Sequence, residues 1–218
     1  MAMLKHIAVS LDDIFSWCRK NNIGIAHACR TYYRNVGNLL EMQDQLGIQV
    51  LTVYLLSDSV DKSAEDYLVF CNLMADFFGE LQRSPSIAGR NVKISVFGKW
   101  YTLPSKAIES IKSMLEQTKG NERLFLNLCV NYDGQEEIAD AFKLIAKQVE
   151  LGKLDPEMVT REFIRENLYS SYFPPPEAIL VYGERRISGL LLWDSVNSKI
   201  AFADKSFMEF EEKDLEKI

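Results

Sequence analysis

A mostly parallel α/β sheet with helices on both faces is the fold class this sequence predicts, and three observations predict it. Five short apolar runs recur along the chain, each nearly continuous in hydrophobicity, as strands covered on both faces must be. Longer stretches with helical spacing separate them, and strand alternating with helix marks a sheet whose crossovers are helices. The 218 residues contain no repeat, low-complexity tract or Pro/Gly/Ser linker, so one domain spanning 1–218 is expected, large enough for a substantial core.

The strands are expected at 6–11, 50–56, 92–97, 124–130 and 178–182, and the helices at 27–46, 66–81, 104–117, 136–151 and 156–168. Gly47 ends the first helix and the turn-forming Ser84 and Pro85 close the second. Pro104 opens the third, and Asp155 and Pro156 read as the N-cap and first residue of the fifth. The 66–81 helix is apolar nearly all round, with Tyr67 to Cys71, Leu73 to Ala75, Phe77 and Phe78. Such a helix is either buried on most sides or lends a face to a greasy channel. Composition leaves both open.

Twenty-five basic residues against 31 acidic give a net charge of −6, so there is no bulk attraction to nucleic acid or anionic lipid. No apolar run approaches the length of a membrane span. The N-terminus meets Asp12 and Asp13 before a signal peptide could finish, which predicts a cytoplasmic protein. Cys18, Cys29, Cys71 and Cys129 are scattered without a CxxC pair, and only His6 and His27 could join them. Reduced thiols, rather than a zinc site, are expected.

In parallel sheets ligands sit outside the carboxyl ends of the strands. The residues to read for chemistry are therefore Asp12 and Asp13, Ser57 and Asp58, Gly98 and Lys99, Asn131 and Tyr132, and Gly183 to Arg186. At these places four motifs stand in order: HIAVSLDD, LTVYLLS, NYDG after the fourth strand, and GERRIS followed by GLLLW. In these, from about residue 5 to about 214, the chain resembles the cis-prenyltransferases, the undecaprenyl diphosphate synthase family. The resemblance implies a transferase of isoprenoid biosynthesis that condenses isopentenyl diphosphate onto an allylic diphosphate with magnesium, giving a polyprenyl diphosphate. It also implies a dimer and a hydrophobic channel, to which Tyr67, Phe70, Met74 and Phe77 of the apolar helix would contribute.

On this resemblance Asp12 is the catalytic, magnesium-binding aspartate, while Arg186, Ser188 and the adjacent Arg185 are the diphosphate-binding candidates. Much else departs. Where the family has glycine, asparagine, glycine and arginine after the aspartate, this chain has Asp13, Ile14, Phe15 and Ser16. The family's helix-start arginine and histidine fall at Ile25 and Cys29, and a further arginine at Ser63. One arginine of the second pocket falls at Leu180, and a magnesium-holding carboxylate at Lys199. No RxG tail is present near Ile218. Pyrophosphate is held by dense positive charge and backbone donors, so the resemblance implies a first pocket stripped of its cations.

Three function classes follow. The preferred one is a non-catalytic or accessory subunit of a heteromeric cis-prenyltransferase, paired with a sibling that retains the full motif set. The alternative is a non-canonical prenyl-diphosphate enzyme, performing irregular condensation or terpene cyclisation with Asp12 and magnesium. The third is a lipid-binding protein reusing the channel. Partners would be the sibling or a second copy, and an isoprenoid diphosphate, with no nucleic acid and at most peripheral membrane contact. The residues themselves also permit plainer roles: Asp12 as a helix N-cap, Arg185 and Arg186 in a solvated turn, His27 as a packed or surface residue on a helix face, and Asn131 and Tyr132 ordering a turn.

Overall fold

In the computed structural model, which describes residues 4–11 and 13–218 (the side chains at 86, 88, 216 and 217 excepted), six strands form one parallel sheet. They are β1 (His6–Ser10), β2 (Val50–Ser57), β3 (Val92–Phe97), β4 (Leu124–Tyr132), β5 (Ala178–Tyr182) and β6 (Lys199–Ala203), in the order β3-β4-β2-β1-β5-β6. Register sets His6 opposite Val50 and Ile7 opposite both Leu51 and Ala178. The helices are α1 (Ile14–Asn21), α2 (Ile25–Gln45), α3 (Glu65–Arg83), α4 (Pro85–Ala88), α5 (Ser105–Thr118), α6 (Gly134–Glu150) and α7 (Arg161–Glu166).

Side chains alternate between the faces of a strand, and the sheet uses that alternation to build two different cores. Ile7 and Val9, Leu51 and Val53, Leu126 and Leu128, and Leu180 enter the larger core with α1, α2, α3 and α5. Ala8, Tyr54, Cys129, Ile179 and Val181 face the opposite way, onto Phe173, Leu190 and Leu191. That smaller core is bordered by buried polar groups. His6 reaches the carbonyl of Pro174 (2.6 Å) and the Thr52 hydroxyl (2.9 Å), and burial pulls its pKa below 6.5.

All five expected strands form, and the expected helices at 27–46, 66–81, 104–117 and 136–151 fall within or within a residue of α2, α3, α5 and α6. The helix expected at 156–168 does not form as one piece. Asp155 accepts from the Glu157 amide, but it caps only the 3-10 turn Pro156–Met158. Thr160 then accepts from the Phe163 amide and starts α7 afresh. Two elements were not foreseen. The eight residues of α1 are too few to display a period, and β6, an edge strand with its first residue exposed, lacks the continuous apolar run of the inner strands.

A helix that leaves one parallel strand and leads to the next must run from the carboxyl edge of the sheet back to its amino edge. Thus α2, between β1 and β2, and α3, between β2 and β3, lie side by side in the same direction. Their N-termini stand at the edge where the loops collect.

Candidate functional site

Asp12, the expected catalytic and metal-binding residue, lies outside the described residues. Its neighbour Asp13 is the N-cap of α1: its carboxylate accepts from the amides of Phe15 (3.0 Å) and Ser16 (3.2 Å) and from the Ser16 hydroxyl (2.6 Å). An aspartate spent on three such bonds is a helix cap in the usual sense.

The segment from Gly183 to Gly189 leaves the carboxyl end of β5 beside the end of β1 and carries Arg185, Arg186 and Ser188. Its shape comes from two glycines with positive φ, Gly183 at 78° and Gly189 at 81°, a region that side chains disfavour. Gly189 also sits against the start of α6. A Cβ on Gly134 would collide with the Gly189 carbonyl oxygen and lie 2.8 Å from Cβ of Leu192. The NYDG turn and the GERRIS loop are therefore packed backbone to backbone, a contact that two distant motifs give no sign of in sequence.

Ser188 is brought to the end of β1, where its hydroxyl and that of Ser10 are 2.7 Å apart. The arginines are turned elsewhere. Arg185 makes a bidentate pair with Asp204, at 2.6 and 2.7 Å, and Arg186 pairs with Glu184 at 2.8 Å. Both arginine side chains are mostly exposed. The next cation along, Lys205, lies 2.8 Å from Asp214 and 2.9 Å from Glu211. Asp214, buried, also accepts from the Tyr182 hydroxyl (3.0 Å) and the Glu211 amide (2.9 Å). The C-terminal segment is thus fastened onto its own chain next to β5. On the far side of the edge Lys99 pairs with Glu136 at 2.5 Å, and that hydrogen bond holds Glu136 below its ordinary pKa. Asn131, with φ of 49°, donates to the Lys99 carbonyl and the Thr102 hydroxyl, ordering the turn as expected.

The four expected channel residues are packed among aromatic rings. Tyr67, Phe70, Met74 and Phe77 are all buried, and aromatic rings occupy the seam they face. Phe70 lies 5.2 Å from Phe15 and 5.6 Å from Tyr33, centroid to centroid, and Tyr33 stacks on Phe77 at 4.8 Å. Of the four, Phe77 alone lines the groove of about 460 Å³ that lies between α2 and α3. Tyr33, Leu73 and Leu81 help form its apolar lining, and the exposed Arg30, Arg34 and Glu80 stand along it. His27 is exposed, as expected of a surface residue.

Cys29 is fully buried, and burial pushes its thiol up to about 12, the opposite of what a reactive thiolate needs. All four cysteines are free, as expected. Sequence reasoning missed Ser10 and Asp204, because a partner across the fold leaves no local spacing to find, and it gave Glu184 no role as the partner of Arg186.

The family model described as "Putative undecaprenyl diphosphate synthase" matches residues 15–218. A tritrans,polycis-undecaprenyl-diphosphate synthase (geranylgeranyl-diphosphate specific) of Methanopyrus kandleri is 32% identical over 97% of this chain and 79% of its own length. An isoprenyl transferase of Streptococcus thermophilus is 31% identical over 96% of this chain and 86% of its own. In fold, the chain is similar to lavandulyl diphosphate synthase from Lavandula x intermedia, with a TM-score of 0.90, 24% identity, and 98% and 92% of the two chains covered. A probable undecaprenyl diphosphate synthase from Campylobacter jejuni follows at 0.76, with 24% identity and 99% and 93% covered.

Proposed function

This chain belongs to the undecaprenyl diphosphate synthase family of cis-prenyltransferases, and from that premise we propose that it serves polyprenyl diphosphate synthesis as the non-catalytic half of a heteromeric enzyme. The observation that carries this reading is the state of the cations at the carboxyl edge. Arg185, Arg186 and Lys205 each lie within 3 Å of a carboxylate of the same chain. A diphosphate would have to displace Asp204 and Glu184 to use the arginines, and would arrive among carboxylates. Developing charge on a leaving diphosphate is best stabilised by donors already aimed at it. Here the arginines are aimed at acids.

Two further features favour a partner. Leu144 and Leu151, two turns apart along α6, are each more than half exposed, and apolar side chains of that size on one side of a helix are ready to be covered. In this reading the ring-packed seam between α2 and α3 is not where a long product is built, and elongation takes place in the sibling. Membrane contact in such an assembly is peripheral for this chain: among the described residues no helix is long and apolar enough to cross a bilayer.

Among the described residues, which leave out Asp12, the family's magnesium finds no ready donor set. Among the described residues no three His, Cys, Asp or Glu side chains stand where they could hold a metal ion, and Asp13 is committed to capping α1.

A second reading, a non-canonical enzyme for short prenyl diphosphates using Asp12 and magnesium, is favoured by one observation. The packed rings of Phe15, Tyr33, Phe70 and Phe77 exclude long chains more strongly than short ones. The lavandulyl diphosphate synthase whose fold this chain shares was crystallised with dimethylallyl diphosphate, a short prenyl diphosphate.

Prenyl transfer from labelled isopentenyl diphosphate, with magnesium and allylic diphosphates of several lengths, separates the two. The chain is assayed alone and mixed with a homologue of the same genome that keeps the full motif set. No product alone and a gain of tenfold or more on mixing is the expected result. Product from the chain alone, abolished by Asp12→Ala, would overturn the accessory reading and establish the second.

A further inference from the structure

A line of four polar side chains crosses the face of the sheet opposite the aromatic seam, and the function proposed above leaves it unused. Register sets Ser95 on β3 opposite Asn127 on β4, and Asn127 opposite Thr52 on β2. Thr52 pairs with Ala8 on β1, and His6 lies two residues before Ala8, on the same face. The four strands are neighbours in the order β3-β4-β2-β1. The line therefore runs across most of the sheet, from the half-buried Ser95 to the buried His6.

Hydrogen bonding fixes its direction. The Pro174 carbonyl only accepts, so its 2.6 Å contact with His6 puts a proton on Nδ1. In the neutral ring Nε2 is then an acceptor, and the Thr52 hydroxyl, 2.9 Å away, donates to it. With its one hydrogen spent, Thr52 Oγ1 accepts from Asn127 Nδ2 at 3.2 Å. That orients the amide and leaves Asn127 Oδ1 buried without a partner. Asn127 is 0% exposed, and an unmet acceptor so deep in a sheet asks for an explanation.

A proton supplies one. In the imidazolium both ring nitrogens donate, so Thr52 Oγ1 accepts from Nε2 and its own hydrogen needs a new acceptor. When the Asn127 amide turns over, Oδ1 takes that hydrogen and Nδ2 is directed along the line to Ser95, whose hydroxyl oxygen accepts. The neutral line leaves one acceptor unmet, and the reversed line leaves none.

The charges around the ring are mixed. Burial holds His6 below 6.5, while Asp194 and Glu177 draw a proton to it and Arg165 opposes them. Lys93, on the same face of β3 as Ser95, is placed over the Tyr172 ring at 5.5 Å.

We infer that His6, Thr52, Asn127 and Ser95 form a proton-operated switch, in which one proton taken from solvent onto His6 Nε2 reverses the hydrogen bonds of the line and turns the Asn127 amide over. The charged ring holds the Pro174 carbonyl more strongly, because a charge-assisted hydrogen bond is the stronger kind. At the other end Ser95 meets amide hydrogens in place of an amide oxygen. The switch goes beyond the accessory role and is independent of it, since all four residues belong to this chain.

The test is nuclear magnetic resonance of the full chain carrying His27→Gln, which leaves His6 as its one histidine. At neutral pH the ring nitrogens are expected to report the Nδ1–H tautomer. On acidification the Asn127 side-chain NH2 signals should move with the midpoint at which His6 takes up its proton. Asn127→Leu keeps the volume and removes the acceptor, and it should lower the proton affinity of His6 about tenfold, the worth of a hydrogen bond. Thr52→Ser preserves the line and should keep the midpoint of the parent chain. An Asn127 that served packing alone would lower stability and leave the His6 midpoint in place. If Asn127→Leu failed to fold, the NH2 signals of the parent chain would decide alone. Four results would overturn the inference: an Nε2–H tautomer at neutral pH, NH2 signals that do not follow His6, a His6 midpoint unmoved by Asn127→Leu, or acid unfolding before His6 is protonated.

Discussion

The two faces of the sheet are built on different principles. Under α1, α2, α3 and α5 the core is dry and aromatic, with Phe15, Tyr32, Tyr33, Phe70, Phe77 and Phe207 in a chain of ring contacts. On the opposite face a smaller core is crossed by a buried polar network. Arg165 donates to Asp194 (2.9 Å) and to the Phe173 carbonyl (2.5 Å), and the Ser170 hydroxyl donates to Asp194 (2.8 Å). Glu137, also buried, accepts from the Tyr132 hydroxyl (2.6 Å) and the Ser170 amide (3.2 Å). The first face is held by area and close fit. The second ties the 167–173 segment, the start of α6 and the turn at Asp194 to one arrangement, since each buried polar group needs its particular partner.

Breaking the dry face should cost the most. Phe70→Ala removes a fully buried ring and is expected to destabilise by about 3–5 kcal/mol, read as a shift in the urea midpoint. Should the loss be under about 1 kcal/mol, the seam would have collapsed around the vacancy and the description of it as tightly packed would be wrong.

On the polar face, Asp194→Ala strands Arg165 and the Ser170 hydroxyl. A loss of about 3 kcal/mol is expected, at the lower end for a broken buried pair because Arg165 is partly solvated. A double-mutant cycle with Arg165→Met would show coupling if the network acts as one unit.

The junction between the faces and the loops is probed by Gly134→Ala. The added methyl meets the Gly189 carbonyl, and overpacking against backbone is expected to cost about 1–3 kcal/mol. Trypsin cleavage after Arg185 and Arg186 should accelerate with it, and unchanged cleavage would mean that the two turns are not mutually supporting.

The pH dependence of stability distinguishes the faces further. Burial, with Asp194 adding to it, raises the Glu137 pKa above 4.5. The folded state then holds a proton that the unfolded chain releases, so Glu137's contribution is present below about 4.5 and is lost as pH rises through its folded value. His6 works in the other direction. Its lowered pKa makes stability rise with pH until about 6.5, where the unfolded histidine is also neutral. Glu137→Gln should therefore remove the loss of stability that sets in above about pH 4.5 and leave the His6 rise below about 6.5 steeper. Identical profiles for the two proteins in thermal melts from pH 4 to 8 would remove Glu137 from the account.

The smallest effect is expected at the carboxyl edge. Arg185→Gln breaks an exposed pair with Asp204, and exposed pairs contribute little to stability. The urea midpoint should stay where it is. A clear drop would make this pair a structural fastening of the loop.

Much of the fold was legible because a parallel strand buried on both faces has to be apolar throughout. The runs at 50–56 and 124–130 are of this kind, and both formed strands. The short α1 and the edge strand β6 escaped notice because neither is long or buried enough to show a period. The candidate site was legible only in part. Ser188, Arg185 and Arg186 were found from a motif, but what they touch was not, since Ser10 is 178 residues away from Ser188 in sequence.

The sequence by itself determined the alternation of strand and helix, the single domain, the family, and the residue types standing at each strand end. These are local or pairwise properties, and a chain carries them in its order. Tertiary structure decided what those residues do. It turned Arg185 and Arg186 toward carboxylates and set the rings of Tyr33, Phe70 and Phe77 against one another between α2 and α3. The reason is physical: an ion pair, a packed ring or an open space depends on distances between segments that meet only when the sheet has assembled.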